Sequence, residues 1–357
     1  MYKIFCLLVL LLLFGCSSAS PMQASTPDNS TLVLPAQLPT VTPTSLPTII
    51  FIPTLAPTST TVPVFTVERQ KIRTIMETYG RIDEKYLSDV YWQRLATAIE
   101  EYGPAQRILT LEFHGDTYSM ADGHYAMTPE QFETQMRYLL DNNHHFVTGA
   151  EMVGFLEGWL QLPSRSIILT TDSGQGSVNS FARITALFTK LEAEYGVSPH
   201  MNSFIWTQGM TPAENYKCSN DSCWQFFRAA VQSGYFTFGT HTETHRDFSQ
   251  LTDEDATWDI NESQQEIHDA LGLNVYSLSW PFEACSSNSD LIASLGIKYA
   301  FGGSTRDLKQ LFSYTGDNMA LCLPRLFPPN PNGTSGRPGG LTLEQMLQEA
   351  AQDVPLK

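Results

Sequence analysis

The spacing of apolar and polar positions changes character three times along the chain. Residues 4–14 are an unbroken apolar run, and residues 17–65 show no period at all. Between 66 and 102 apolar residues return at helical spacing: Ile72, Ile75, Met76 and Tyr79, then Trp92, Leu95, Ala96 and Ile99, with Gly80 between two predicted helices. From Arg107 onward short apolar runs alternate with amphipathic ones. Strands are predicted at 107–113, 146–148, 166–171, 200–205, 235–240, 275–280 and 299–301. Helices are predicted at 129–142, 149–160, 178–195, 223–233, 253–271, 289–295 and 343–351. Thr128 before Pro129-Glu130, Thr252 and Thr342 supply helix-start signals. Strands alternating with helices imply a parallel sheet with crossovers, hence an α/β fold. About seven such βα units suit a (β/α) barrel better than an open sheet. No strand is followed by a Gly-rich phosphate loop, so no nucleotide cofactor is expected.

The first run has Lys3 ahead of it and is shorter than the roughly 20 apolar residues that span a bilayer. It fits the core of a secretory signal. The signal ends in Leu13-Phe14-Gly15-Cys16, which resembles a bacterial lipobox. The expectation is a signal peptide over 1–15, removed before Cys16, which is then lipidated and anchors the protein without crossing the membrane. Residues 17–65 are dominated by Ser, Thr and Pro, with repeated Thr-Pro and Leu-Pro steps. Such steps prevent helix and favour a semi-rigid polyproline II spacer. The expected order is anchor and linker over 16–65, helical extension over 66–104 and main domain over 105–357. The expected location is extracytoplasmic, in a bacterial cell envelope.

Composition narrows the partners. The 357 residues carry a formal charge of −16. Clustered Lys and Arg are what hold phosphate backbones and anionic membrane surfaces, so no nucleic-acid partner and no polybasic membrane contact are expected. With Cys6 removed and Cys16 lipidated, Cys218, Cys223, Cys285 and Cys322 remain. Four cysteines allow three pairings. In an oxidising compartment the favoured set is the local pair Cys218–Cys223 with Cys285–Cys322 as its complement. The spacing lacks a second short pair, which disfavours a four-thiolate zinc site.

In a barrel of this kind functional groups come from the C-terminal ends of strands. Four such ends carry polar residues. His114 follows the first strand, Asp172-Ser173-Gly174 ends the third, His241-Thr242-Glu243-Thr244-His245 follows the fifth, and Trp280-Pro281-Phe282-Glu283 ends the sixth. His241 and His245 lie on one face if the segment enters a helical turn, and both then reach one metal. The segment is not His-Glu-x-x-His, which disfavours a zincin protease. Asp172 is a candidate base, its bland alternative being a cap for the following helix. His114 is a candidate general acid, since imidazole titrates near working pH. Trp280 and Phe282 are candidates for a sugar-stacking wall, their alternative being core packing.

Taken together these segments resemble the polysaccharide deacetylases of carbohydrate esterase family 4, the NodB-homology group. They are most similar to its lipoprotein branch acting on poly-N-acetylglucosamine. Residues 127–174 carry that branch's run nearly unbroken. Thr170-Thr171-Asp172-Ser173-Gly174 matches the Thr-Phe-Asp-Asp-Gly motif, and His241 to His245 matches His-Thr-x-x-His. Trp280-Pro281-Phe282-Glu283 matches the groove motif, and Gly296-Ile297-Lys298-Tyr299-Ala300 and Leu323-Pro324-Arg325 match later segments. The resemblance implies a distorted (β/α) barrel that removes acetyl groups from an N-acetylated glycan by metal-assisted hydrolysis. It implies Asp172 as base, His114 as acid, and His241 and His245 as ligands of a divalent metal, zinc first, with cobalt or nickel as alternatives.

Ser173 departs from the pattern. The second Asp of the family motif is a metal ligand, and a neutral hydroxyl is a poor substitute for an anionic oxygen. Glu283 replaces the groove Gly. Two readings follow from different classes: a lipid-anchored deacetylase, and a glycan-binding lipoprotein with a degenerate deacetylase barrel. A structural surface protein with an inherited barrel is the third.

Overall fold

Helices and strands alternate as the periodicity predicts, in a computed structural model that describes residues 65–113, 128–174, 178–210, 222–302, 319–326, 328 and 342–352. All of these belong to one compact unit, Ser59–Lys357. Two helices, α1 (Thr66–Tyr79) and α2 (Asp89–Tyr102), precede the alternating part. That part runs β1 (Leu109–Glu112), α3 (Pro129–Asp141), β2 (His145–Phe146), α4 (Gly149–Leu156), β3 (Ser166–Ser173) and α5 (Val178–Tyr195). It continues with β4 (Met201–Ile205), α6 (Trp224–Ser233), β5 (Phe236–Thr240), α7 (Asp253–Leu271), β6 (Ser277–Ser279), α8 (Ser289–Ser294), β7 (Tyr299–Phe301) and α9 (Leu343–Gln352). Thr128 and Thr148 each form a capping box, with Gln131 and Glu151, which fixes where α3 and α4 begin. The helix predicted to reach residue 160 stops at Leu156. Gly158 takes a left-handed φ of 75°, and the amides of Trp159 and Leu160 both turn back to the Gly154 carbonyl.

Every strand pairing is parallel, in the order β1-β3-β4-β5-β6-β7, with β2 paired to the start of β3. A further extended segment completes the curl. Leu323 bridges Phe301 of β7 and Leu326 bridges Leu111 of β1, both in parallel sense. Four backbone bonds hold it: Leu323 N–H to Ala300 O, Gly302 N–H to Leu323 O, Glu112 N–H to Leu326 O and Leu326 N–H to Thr110 O. The distorted barrel therefore closes through residues 323–326, which no sequence period marked as a strand.

Successive strand residues face opposite sides, and the two sides differ in chemistry. The outward positions Leu111, Ile167, Leu169, Phe236 and Phe238 pack in one apolar cluster with Phe132, Phe188 and Phe227 from the helices. The inward positions include Glu112, Asp172, Asn202, Ser277 and Ser279, all buried. A second apolar cluster joins inward Ile168, Phe204, Tyr299 and Phe301 to Ile72, Met76, Tyr86, Trp92 and Leu95 of the N-terminal extension.

That extension covers the N-terminal ends of the strands. The Tyr86 hydroxyl donates to Gly234 O and meets His200 Nδ1 at 2.8 Å, just before β5 and β4. Tyr91 O–H donates to Glu151 at 2.6 Å, and His145 Nε2 lies 3.1 Å from the same oxygen. The Tyr79 hydroxyl accepts the Phe238 amide of β5 at 2.7 Å. Cys285 and Cys322 form a disulfide, as expected, with Cα atoms 5.9 Å apart, and Cys223 is also disulfide-bonded. Cys16, the signal, the linker up to residue 64, His114 and Cys218 lie outside the described residues.

Candidate functional site

The polar strand ends meet at the C-terminal mouth of the barrel, opposite the extension. Asp172, on the inward face of β3, receives Arg325 in a two-pronged contact, Nη1 to Oδ1 and Nη2 to Oδ2, each 2.9 Å. The same Nη2 lies 2.9 Å from Glu112 Oε1 on β1. Arg325 is only 2% exposed, and its two carboxylates raise its already high pKa despite the opposing effect of burial. Planar bidentate pairing holds a carboxylate ionised and fixed in orientation. Asp172 is thus a held anion inside the barrel. Arg325 reaches it because the closing segment runs between β7 and β1. Sequence reasoning matched Leu323-Pro324-Arg325 to a motif and gave the arginine no task.

His241 follows β5 on the inward face. Its Nδ1 lies 2.8 Å from the Ser279 carbonyl, so that nitrogen carries the proton, and Nε2 faces Asp172 Oδ2 at 3.8 Å. Burial lowers its pKa to about 4, against the pull of Asp172. A neutral imidazole with a free Nε2 lone pair results. His245 comes beside it, ring centroids 4.7 Å apart and edge to face.

The route by which they meet corrects the expectation of a helical turn. The segment is an irregular loop in which Thr242 and His245 have positive φ, 68° and 54°. Asp259 of α7 holds it there, its Oδ1 accepting the amides of Glu243 and Thr244 at 2.7 and 2.9 Å. Its Oδ2 accepts the Thr244 hydroxyl and lies 3.4 Å from Arg246. A buried carboxylate accepting this many donors replaces the hydrogen bonds a helix would supply.

Ser173 faces away from this group. It is the neighbour of inward Asp172 on the same strand, and its hydroxyl bonds Ser203 Oγ at 2.7 Å. Among the described residues no three His, Cys, Asp or Glu side chains are arranged to hold a metal ion. Both Asp172 oxygens serve Arg325, and the hydroxyl at the third ligand position points to the other side of the sheet. These donors do not fit the three-ligand metal centre that catalytic sites use.

The two predicted aromatics separate. Trp280 is 1% exposed, packs with Phe248, Ile292 and Leu278, and donates its indole N–H to Leu321 O. It is core and no sugar wall: Ser277 and Ser279 face inward, so Leu278 and Trp280 face the helices. Phe282 is 70% exposed, in a left-handed conformation, with its ring 4.8 Å from that of His245. The ring of Trp206, just after β4, also meets that of His245, at 5.1 Å. It was not singled out from the sequence, although it follows a strand as directly as the residues that were.

This barrel has counterparts among solved structures. A Streptococcus pyogenes deacetylase, PplD, solved with acetate, superposes with a TM-score of 0.52 at 16% identity, covering 68% of this chain and 97% of that one. IcaB from Ammonifex degensii gives 0.51 at 19% identity, with coverage of 69% and 97%. BC0361, a polysaccharide deacetylase from Bacillus cereus, gives 0.52 at 19%, with 70% of each chain covered. Likeness at this identity concerns the fold. No curated protein matches the chain. Residues 161–300, from just before β3 into β7, match the polysaccharide deacetylase family, and over that stretch the chain is similar to the polysaccharide deacetylases.

Proposed function

We propose that this protein is an exported hydrolase, lipid-anchored at Cys16, that removes N-acetyl groups from an amino-sugar polymer outside the cytoplasm. The observation that carries the reading is Asp172, an anion clamped by Arg325 at the barrel mouth and facing His241 at 3.8 Å. A carboxylate held ionised can take the proton of an attacking water as it adds to the acetamide carbonyl. Fixing by Arg325 removes the cost of orienting it at that moment. His114, two positions after Glu112 in the sequence, is the proposed donor to the leaving amine. The signal-like N-terminus and the spacer support the location. No step is assigned to a metal, because the described donors do not form its site.

A second reading is favoured by one observation, the outward hydroxyl of Ser173 bonded to Ser203. Under it the barrel binds an N-acetylated glycan without turning it over. Acetate release from β-1,4- and β-1,6-linked N-acetylglucosamine oligomers separates the two. The hydrolase reading expects release by the full chain that falls at least 100-fold in Asp172→Asn, within the range of a lost general base. No release by wild type, together with saturable binding of the same oligomers, establishes the binding reading instead.

A further inference from the structure

We propose that Trp206 and Phe282, each in ring contact with His245, form an aromatic clamp that takes the apolar C–H face of an amino-sugar ring. The inference rests on the reading of the mouth as a site for an N-acetylated amino sugar and adds Trp206 to it. Single exposed apolar residues need no explanation, whereas a contiguous group at a polar strand end does. Trp206 is 36% exposed and Phe282 70%, and His245 links them by ring contacts of 5.1 and 4.8 Å.

The indole is held in place by three features. Its N–H donates to Glu243 O at 3.0 Å. Its own backbone amide donates to Ser173 O at 2.9 Å. The turn Gln208–Met210 lies flat against the ring because residue 209 is glycine. A Cβ there would stand 2.5 Å from Trp206 Cε3 and 2.6 Å from Cδ2. That turn packs against the ring, and Trp206 keeps part of its surface exposed.

The backbone around His245 and Phe282 is equally committed. Of the five non-glycine residues with positive φ among the described residues, four are Thr242, His245, Phe282 and Glu283. Such conformations cost free energy and collect where a site requires them. A rigid aromatic surface beside a few fixed polar groups is the usual make-up of a small-ligand site. The polar groups here are Asp172 and the two imidazoles. Rigid rings lose little entropy on binding, which suits them to a sugar whose hydroxyls must otherwise leave water.

The test is calorimetric binding of β-1,4- and β-1,6-linked N-acetylglucosamine tetramers to the full chain in detergent, with tryptophan emission recorded alongside. One ring face is worth about tenfold in Kd. Trp206→Ala is expected to weaken the better tetramer by about that factor and Trp206→Phe to recover most of it. Sugar binding is expected to shift the wild-type emission, and the shift to vanish in Trp206→Phe. Gly209→Ala, which touches no sugar, is expected to weaken binding by tilting the indole, and it carries the test if Trp206→Ala does not fold. Unchanged affinity in Trp206→Phe, Trp206→Ala and Gly209→Ala overturns the clamp, as does the absence of binding to either tetramer. Trp206-dependent binding without acetate release keeps the clamp and rejects hydrolysis.

Discussion

Arg325 is the residue on which the site depends most directly. It is a single cation, buried, facing Asp172 and Glu112 at 2.9 Å each. Removing one member of such a group leaves uncompensated buried charge, which costs about 3–5 kcal/mol. Arg325→Met is therefore expected to lower the urea unfolding free energy by about that amount. Glu112→Gln is expected to lower it by much less, since Asp172 keeps both of its bonds. A loss below about 1 kcal/mol in Arg325→Met would mean that the two carboxylates find other partners. Legibility at this scale depended on chain distance. Asp172, His241 and Phe282 could be read because each ends or follows a recognisable strand. Arg325 lies 153 positions from Asp172, and nothing local encodes that contact. Trp280 was misread because the face of a strand end is set by the pleat. The polar Ser277 and Ser279 beside apolar Leu278 were the signal that this aromatic turns outward.

Among the elements, the loop from β5 to α7 shows how a side chain can replace regular structure. Asp259 gathers two amides, one hydroxyl and one guanidinium, and the histidines stand where that gathering puts them. Asp259→Ala is expected to destabilise the fold by about 2–4 kcal/mol, since it strands two buried amides and a hydroxyl. It is also expected to accelerate hydrogen exchange at Glu243 and Thr244 more than in the central strands β3 and β4. Exchange that rises equally everywhere would mean that the aspartate supports α7 rather than the loop. The alternating elements were legible because helix and strand periods differ and Thr caps marked several starts. The closing segment was not. It contains Pro324, which has no N–H to donate, and it bridges each neighbour at a single residue. Closure is set by the curvature of the sheet, which no single segment records.

At the scale of the whole molecule the barrel has two ends with different duties. The C-terminal mouth gathers the chemistry, and the N-terminal end is covered by residues 66–102, whose apolar face belongs to the interior cluster of the barrel itself. The sequence predicted two helices there but could not say whether they cover the groove or lengthen the spacer; they cover the opposite end. Their polar contacts converge on His200, buried between Tyr86 and Thr237, where Tyr86 and Thr237 meet Nδ1 and Nε2 at 2.8 and 2.9 Å. Burial and, secondarily, Lys85 lower its pKa to about 3, with Glu151 opposing. Burial likewise lowers His144 to about 4. Both histidines are neutral in the fold and have ordinary values near 6.5 when unfolded. Below pH 6.5 the unfolded chain therefore takes up protons that the folded chain does not, and stability falls from there toward pH 3–4. At pH 5 each such histidine costs about 2 kcal/mol relative to pH 7. Glu151 acts at lower pH: its depressed pKa contributes stability that is lost only as pH falls through the folded value. Urea unfolding from pH 7 to pH 5 is expected to show this decline, to which buried His241 adds a similar share, and His200→Gln, uncharged at every pH, to flatten it by about a third while lowering stability at pH 7. An equally steep decline in His200→Gln would place the acid sensitivity outside the junction between the extension and the barrel.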